Sequence, residues 1–328
     1  MVAIGRFVCV VVGLLIITSV AHAENKKVLF LTKSSGFQHS VITRDKNEPQ
    51  KLAHAERILT EIGAANGFDV TVTKDADVFN DPKTYETYQV IAFYTTEDLT
   101  KPSDKYDVKR DENGKEIKGP DGKSVQGMLI HTEKPMSAEG KKMFLQAISD
   151  GKVGFIGFHS ASDTFHSKNR GNPDLLRDAS IKDPVDPYIG IIGGEFSGHG
   201  RQQEAKMHFV SSSFPGLSDL KDFTMHEEWY SLRNLAPDMH VILVQDTTTM
   251  KNPEAMYKRA PFPATWARMQ GKGRVFYTSM GHKPEVWVDP TFQKVVIAGL
   301  NWAAGNTQFD PTPNIQQTAP QGAAAAVK

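Results

Sequence analysis

Short, mostly apolar runs that alternate with helical segments constrain this chain more than any other feature. Lys27–Leu31, Phe68–Thr73, Tyr88–Tyr94 and Val153–Phe158 read as strands. Leu52–Asn66 places apolar residues at 52, 55, 58, 59 and 62 on one helical face and stops at Gly67. Ser137–Ser149 reads as a helix with Ser137 as its N-cap. Strands that are apolar on both faces and separated by helices predict a mostly parallel sheet covered on both sides, an α/β fold. Further strands are expected at Ala205–Val210, Val241–Gln245, Ala264–Ala267 and Arg274–Thr278, with a closing helix at Phe292–Ala304.

The ends of the chain read differently from its core. Met1–Ala23 has a positive start at Arg6, an apolar stretch from Phe7 to Val20 and a small-x-small ending, Ala21-His22-Ala23. This is the pattern of a cleaved export signal, and the stretch is shorter than the ~20 residues of a membrane-spanning helix. A periplasmic or secreted protein with no stable membrane insertion after cleavage is expected. Residues 306–328, rich in proline and glutamine, are expected to form a flexible tail beyond a 24–305 domain. About 97–125, a charged stretch with Asn113-Gly114 and Asp121-Gly122 predicts an exposed excursion. Equal counts of basic and acidic residues, 38 each, give no reason to expect nucleic acid. The single cysteine, Cys9, lies in the leader, which excludes a disulfide framework and a Cys-rich zinc site.

In open parallel sheets, ligands bind beyond the carboxyl ends of the strands. Several histidines stand there or on glycine-rich turns: His39 in Gly36-Phe37-Gln38-His39, His159 in Gly157-Phe158-His159-Ser160, His199 in Gly198-His199-Gly200, and His282 in Gly281-His282. Imidazole exchanges protons near neutral pH and, when neutral, ligates metals. His131, His166, His208 and His240 lack such context and read as structural or exposed. Asp163 is a candidate to orient His159 or to hold a substrate hydroxyl, with a capping role in the following turn as the alternative. Glu228, before Trp229 and Tyr230, is a candidate acid or base, with Glu227 the alternative carboxylate. Neither Gly193-Gly194 nor Gly271-Lys272-Gly273 completes a nucleotide-binding loop, so no nucleotide cofactor is expected.

These segments resemble the ThuA-like (trehalose utilisation) family. Gly36-Phe37-Gln38-His39-Ser40 is similar to its GFRH segment, and Gly157-x-His159-x-Ala161-x-Asp163 to its G-x-H-x-A-x-D turn. Gly194-Glu195-Phe196 with His199 resembles its G-x-F-x-x-H-P loop, with Gly200 in place of Pro. Glu227-Glu228-Trp229-Tyr230 is similar to DEWY, and Gly273–Thr278 with Gly281-His282 matches its G-R-V-x-Y-T…GH ending. Phe262 stands where many relatives carry His. The resemblance spans about Lys27–Gly305 and implies a class I glutamine amidotransferase-like fold, a flavodoxin-like three-layer sandwich. It also implies an association with disaccharides and keto-sugars. With His159 where amidotransferases carry cysteine, glutamine hydrolysis by that route is not available.

Residues and resemblance together suggest an exported carbohydrate-active enzyme. His159, His39, His199, Glu228, His282 and Asp163 would move protons on a disaccharide or keto-sugar in an isomerase, lyase or hydrolase reaction. A divalent metal such as zinc, held by His39, His159 and His199, would assist. Phe37, Trp229, Tyr230 and Trp266 would bind substrate. The alternative is a non-catalytic sugar-binding protein that uses the aromatics as a platform.

Overall fold

The computed structural model describes residues 24–167, 185–251 and 254–320. The proposed export signal, Met1–Ala23, lies outside them. Along the chain, β1 (Lys26–Leu31) leads to α1 (His54–Ala64), β2 (Phe68–Thr73), the short α2 (Thr84–Thr87) and β3 (Val90–Phe93). A hairpin of β4 (Ser103–Val108) and β5 (Gln126–Glu133) follows, then α3 (Ala138–Ser149), β6 (Gly154–Phe158) and α4 (Pro187–Ile192). The second half runs β7 (Glu195–His199), β8 (Gln203–Phe209), β9 (Phe223–Glu227), β10 (Tyr230–Arg233), β11 (His240–Asp246), β12 (Phe262–Gln270) and β13 (Gly273–Thr278). It closes with α5 (Pro284–Trp287), α6 (Pro290–Ala303) and α7 (Ile315–Thr318).

Nine strands share one sheet, in the order β2-β1-β3-β6-β13-β12-β11-β8-β9. The first five pair in parallel and give the order of flavodoxin-like doubly wound sheets. From β13 onward the pairings are antiparallel, so the sheet is mixed with a parallel core. Period-2 geometry explains the apolar runs. Val28 and Phe30 of β1 pack with Leu59 of α1 and Val295 of α6, while Leu29 and Leu31 pack with Phe144 of α3 and Tyr188 of α4. Both faces of the core strands are therefore covered, giving three layers. Ser137 caps α3, its Oγ accepting from Gly140 N at 2.9 Å.

Where the turn dipeptides suggested an excursion, β4 and β5 leave the main sheet as an antiparallel ribbon between β3 and α3. Its outer turns place Gly114 and Gly122 at φ +78° and +75°, the left-handed region that glycine enters without a Cβ clash.

Residues 306–320 differ from the expected flexible tail. Ile315 is buried, and Asn314 closes on β11 by donating to Val241 O at 3.0 Å and accepting from Val241 N at 2.6 Å. The strand has an irregularity beside Val241, and the Asn314 amide satisfies the backbone groups there. Among the described residues no helix is long and apolar enough to cross a membrane.

Candidate active site

The carboxyl ends of β1, β6 and β13 deliver three imidazoles to one place. His159 follows β6 with φ +42°, a strained conformation for a non-glycine residue, in the manner of a nucleophile elbow that carries histidine. Gly157 permits this turn, since a Cβ there would stand 2.9 Å from Ile192 Cδ1. Ring centroids are 5.0 Å apart for His39–His159, 5.1 Å for His39–His282 and 5.3 Å for His159–His282. Glu228 completes the group from the break between β9 and β10. Its Oε2 lies 3.0 Å from His282 Nδ1 and 3.5 Å from His159 Nε2. One ligand atom from each of His39, His159, Glu228 and His282 falls within 4.8 Å of the others.

Hydrogen bonds to residues outside the group orient its rings. His159 Nδ1 donates to Ser279 O at 2.7 Å, which fixes the tautomer and leaves a lone pair on Nε2. His39 Nε2 faces the Tyr230 hydroxyl at 3.4 Å, and His282 Nε2 faces the Gln202 amide at 3.0 Å. His39 Nδ1 is buried without a hydrogen-bond partner, while His159 Nε2 and His282 Nδ1, also buried, face Glu228 Oε2 at 3.5 and 3.0 Å. Three imidazoles around one carboxylate, with a ligand atom of each within 4.8 Å of the others, are a donor set that could hold a zinc-class divalent cation, with Ser279 O orienting the His159 ring.

The charge states agree. Burial, then the neighbouring His159 and His282, pushes His39 down to about 2, and burial lowers His159. Both rings are therefore neutral near pH 7, as ligation requires. Burial raises the Glu228 carboxyl, but the His159 and His282 contacts outweigh it and hold the group far below the ordinary range. Behind it, Glu227 accepts from Glu228 N at 2.8 Å, Gly281 N at 2.9 Å and His282 N at 3.0 Å. This carboxyl ties the loop of one candidate ligand to the loop of another, while burial pushes it up to about 7.

His199 does not join the metal-competent group, in contrast to the sequence expectation. At the end of β7 it is 45% exposed, with Nδ1 3.0 Å from Gly200 O and 3.4 Å from Glu228 Oε1. Glu228 and His282 take its place among the candidate ligands. Asp163 does not orient His159, a task that falls to Ser279 O. It hydrogen-bonds His166 instead and groups with Glu97. His166, read as structural or exposed, also reaches Glu195 at 3.3 Å. No sequence pattern marks it, because the pairing forms only in the fold.

The expected aromatic platform is largely absent. Trp229 and Trp266 are both fully buried, with indole N–H groups bonded to Gln203 O and Ile192 O at 2.8 Å. Tyr230 is buried in the wall, its ring centroid 3.9 Å from that of His159. Phe37 alone of the four is open, 68% exposed, with its ring edge-on to His39 at a centroid distance of 5.0 Å. Phe262 lies buried under the Arg259 guanidinium at 3.8 Å.

Among solved structures, a putative ThuA-like protein from Parabacteroides merdae is 18% identical, with a TM-score of 0.52 over 88% of this chain and 94% of that one. A β-galactosidase from Bacillus circulans sp. alkalophilus is 10% identical, with a TM-score of 0.44 over 86% of this chain and 31% of that one. A putative GMP synthase protein from Thermoplasma acidophilum is 9% identical, with a TM-score of 0.42 over 87% of this chain and 97% of that one. No curated protein matches the sequence. The family profile described as ThuA, trehalose utilisation, matches residues 124–303, which include His159, His199, Glu227, Glu228 and His282 but not His39. This chain belongs to the ThuA family.

Proposed function

We propose that this protein is an exported, metal-assisted acid–base enzyme acting on a sugar that carries a carbonyl group. The observation that carries the reading is the four-residue group, His39, His159, Glu228 and His282, with one ligand atom of each within 4.8 Å of the others. A divalent cation bound there would supply Lewis-acid polarisation of a carbonyl or hydroxyl oxygen. His199, 45% exposed beside this group, is the proton carrier. Its Nδ1–H is engaged by Gly200 O, which leaves Nε2 with a lone pair to take a proton from the carbon next to the carbonyl and return it elsewhere. No cysteine exists in the described residues, and the elbow presents an imidazole, so the site suits proton transfer better than covalent catalysis. The substrate class rests on the family's description, trehalose utilisation. A sugar-binding protein without catalysis is the weaker reading, because two of the four platform aromatics are core residues.

The test is hydrogen–deuterium exchange at carbon, followed by NMR, on a panel of keto-glucosides in D2O with the zinc-loaded protein. Exchange or isomerisation should occur with the wild type and be lost in His199→Ala, while metal content stays unchanged. Absence of exchange and turnover across the panel, with metal bound, would sink the reading.

A further inference from the structure

The loop that presents Phe37 and His39 has a second side. Gln38 lines a cavity of about 780 Å3 between residues 38–49, the end of β2 and the β4/β5 ribbon. None of the four candidate metal ligands lines it. Its size falls in the ~300–1,000 Å3 range of small-molecule sites. Val72, Val125, Tyr106 and Ile130 supply apolar surface, and Tyr106 and Ile130 remain 40% and 41% exposed.

Glu133, also in the lining, is 1% exposed. Its Oε2 accepts from Ser34 N at 3.2 Å and faces Lys105 Nζ at 3.5 Å, but Oε1 has no partner. An unfilled buried acceptor costs about 1–3 kcal/mol, so it is a demand that a ligand donor would meet. Ser34 Oγ and Ser35 Oγ, at the same junction of loop and ribbon, are also buried without partners.

The charges select against ions. The lining carries five cationic side chains and five carboxylates. Several are already engaged: Lys46 pairs with Asp107 at 2.7 Å, Lys74 Nζ holds Ile42 O at 2.8 Å, and Arg44 holds Glu56 at 2.7 Å. An anion would meet Glu133 and Asp75, and a cation would meet Lys74 and Lys105. A neutral molecule with hydroxyl donors and a C–H face meets neither penalty.

The geometry points to a second small-molecule site in this cavity, for a neutral, hydroxyl-rich molecule of disaccharide size, with Glu133 accepting a ligand hydroxyl and Tyr106 and Ile130 covering its C–H face. The site stands independently of the catalytic reading. The experiment is calorimetric titration of the full chain with trehalose, maltose and cellobiose at millimolar concentration. It is run in the His159→Ala background, with and without Tyr106→Ala or Ile130→Arg. In the wild type, the Ile130 methyl resonance is followed as well, in case the His159 variant does not fold. At least one sugar should bind, shift that methyl, and weaken roughly tenfold or more with either surface substitution. No binding by any of the three sugars, or binding that leaves the methyl and both surface variants unaffected, overturns the proposal. Neither outcome touches the catalytic reading, because no turnover is measured.

Discussion

Glu195 opens β7, the strand that ends in His199, and its removal should loosen the site from behind. The carboxylate is fully buried and takes bonds from Ser167 N at 3.0 Å, Asn234 Nδ2 at 2.6 Å and Arg233 Nε at 3.3 Å, with His166 at 3.3 Å. Burial alone would raise its pKa. His166, Arg233 and the Ser167 amide outweigh that and hold it at about 2, against an ordinary 4.5. At about 1.36 kcal/mol per pH unit, a difference of that size corresponds to roughly 3 kcal/mol of stability. The sign follows from a folded pKa below the unfolded one. The contribution is fully present above about pH 5 and is lost as the pH falls from 4.5 toward 2. Glu195→Gln should therefore lower stability at pH 7 by about 3–5 kcal/mol, since Arg233 is left buried without its counter-charge. It should also remove part of the wild type's decline in acid. Urea unfolding of both proteins at about pH 7, 5 and 3.5 measures this. A loss below about 1 kcal/mol at pH 7, or parallel pH curves, would refute the assignment of Glu195 as an ionised brace.

Glu228→Gln or His282→Ala should each reduce zinc occupancy after dialysis by well over tenfold, read by elemental analysis. Glu227→Gln, which touches no metal-competent atom, should weaken zinc by about 10–100-fold by freeing the backbone that carries Glu228 and His282. Deleting everything after Gly305 should cost about 3–5 kcal/mol in urea unfolding, from exposing the Ile315 pocket and stranding the Val241 backbone groups. A change under about 1 kcal/mol would show that the docking contributes nothing. Phe37→Ala should raise KM for a keto-sugar without changing the melting temperature. Trp266→Phe should do the reverse, lowering stability by about 1–3 kcal/mol, because its indole N–H is committed to Ile192 O inside the core.

The parallel core was legible because burial on both faces writes itself into composition. A strand such as Val28-Leu29-Phe30-Leu31 must satisfy two helical layers at once and has no room for a polar residue. The antiparallel half was less legible. β9 and β10 are interrupted at Glu228-Trp229, where the chain turns Trp229 into the core and so breaks the alternation that a strand would show. The last segment misled for a similar reason. Its proline and glutamine content carries no period, yet it docks through Asn314 and Ile315, together with a 2.7 Å bond between Thr312 O and His240 Nδ1 and the packing of Phe309 on the core.

The site shows where sequence position stops carrying information. His39, His159 and His282 stand out because each follows a core strand, and parallel strands deliver their carboxyl ends to one rim. His199 satisfies the glycine-turn rule but sits on a ribbon strand outside that rim. It therefore reaches Glu228 from the solvent side rather than the shared centre. The same logic explains Trp229. An aromatic beside an acid resembles a sugar-binding pair in one dimension. In the fold, the geometry that turns Glu228 toward the three imidazoles sends its neighbour the other way, to Gln203 O. Under the proposed function, proton carrier and ligand group are separated by layer: His39, His159 and His282 at the sheet rim would hold the metal, and His199, 45% exposed, would meet the substrate. This division predicts that His199→Ala should keep the metal and lose turnover, whereas His39→Ala should lose both. A His39→Ala protein that retains full metal content would remove the central argument.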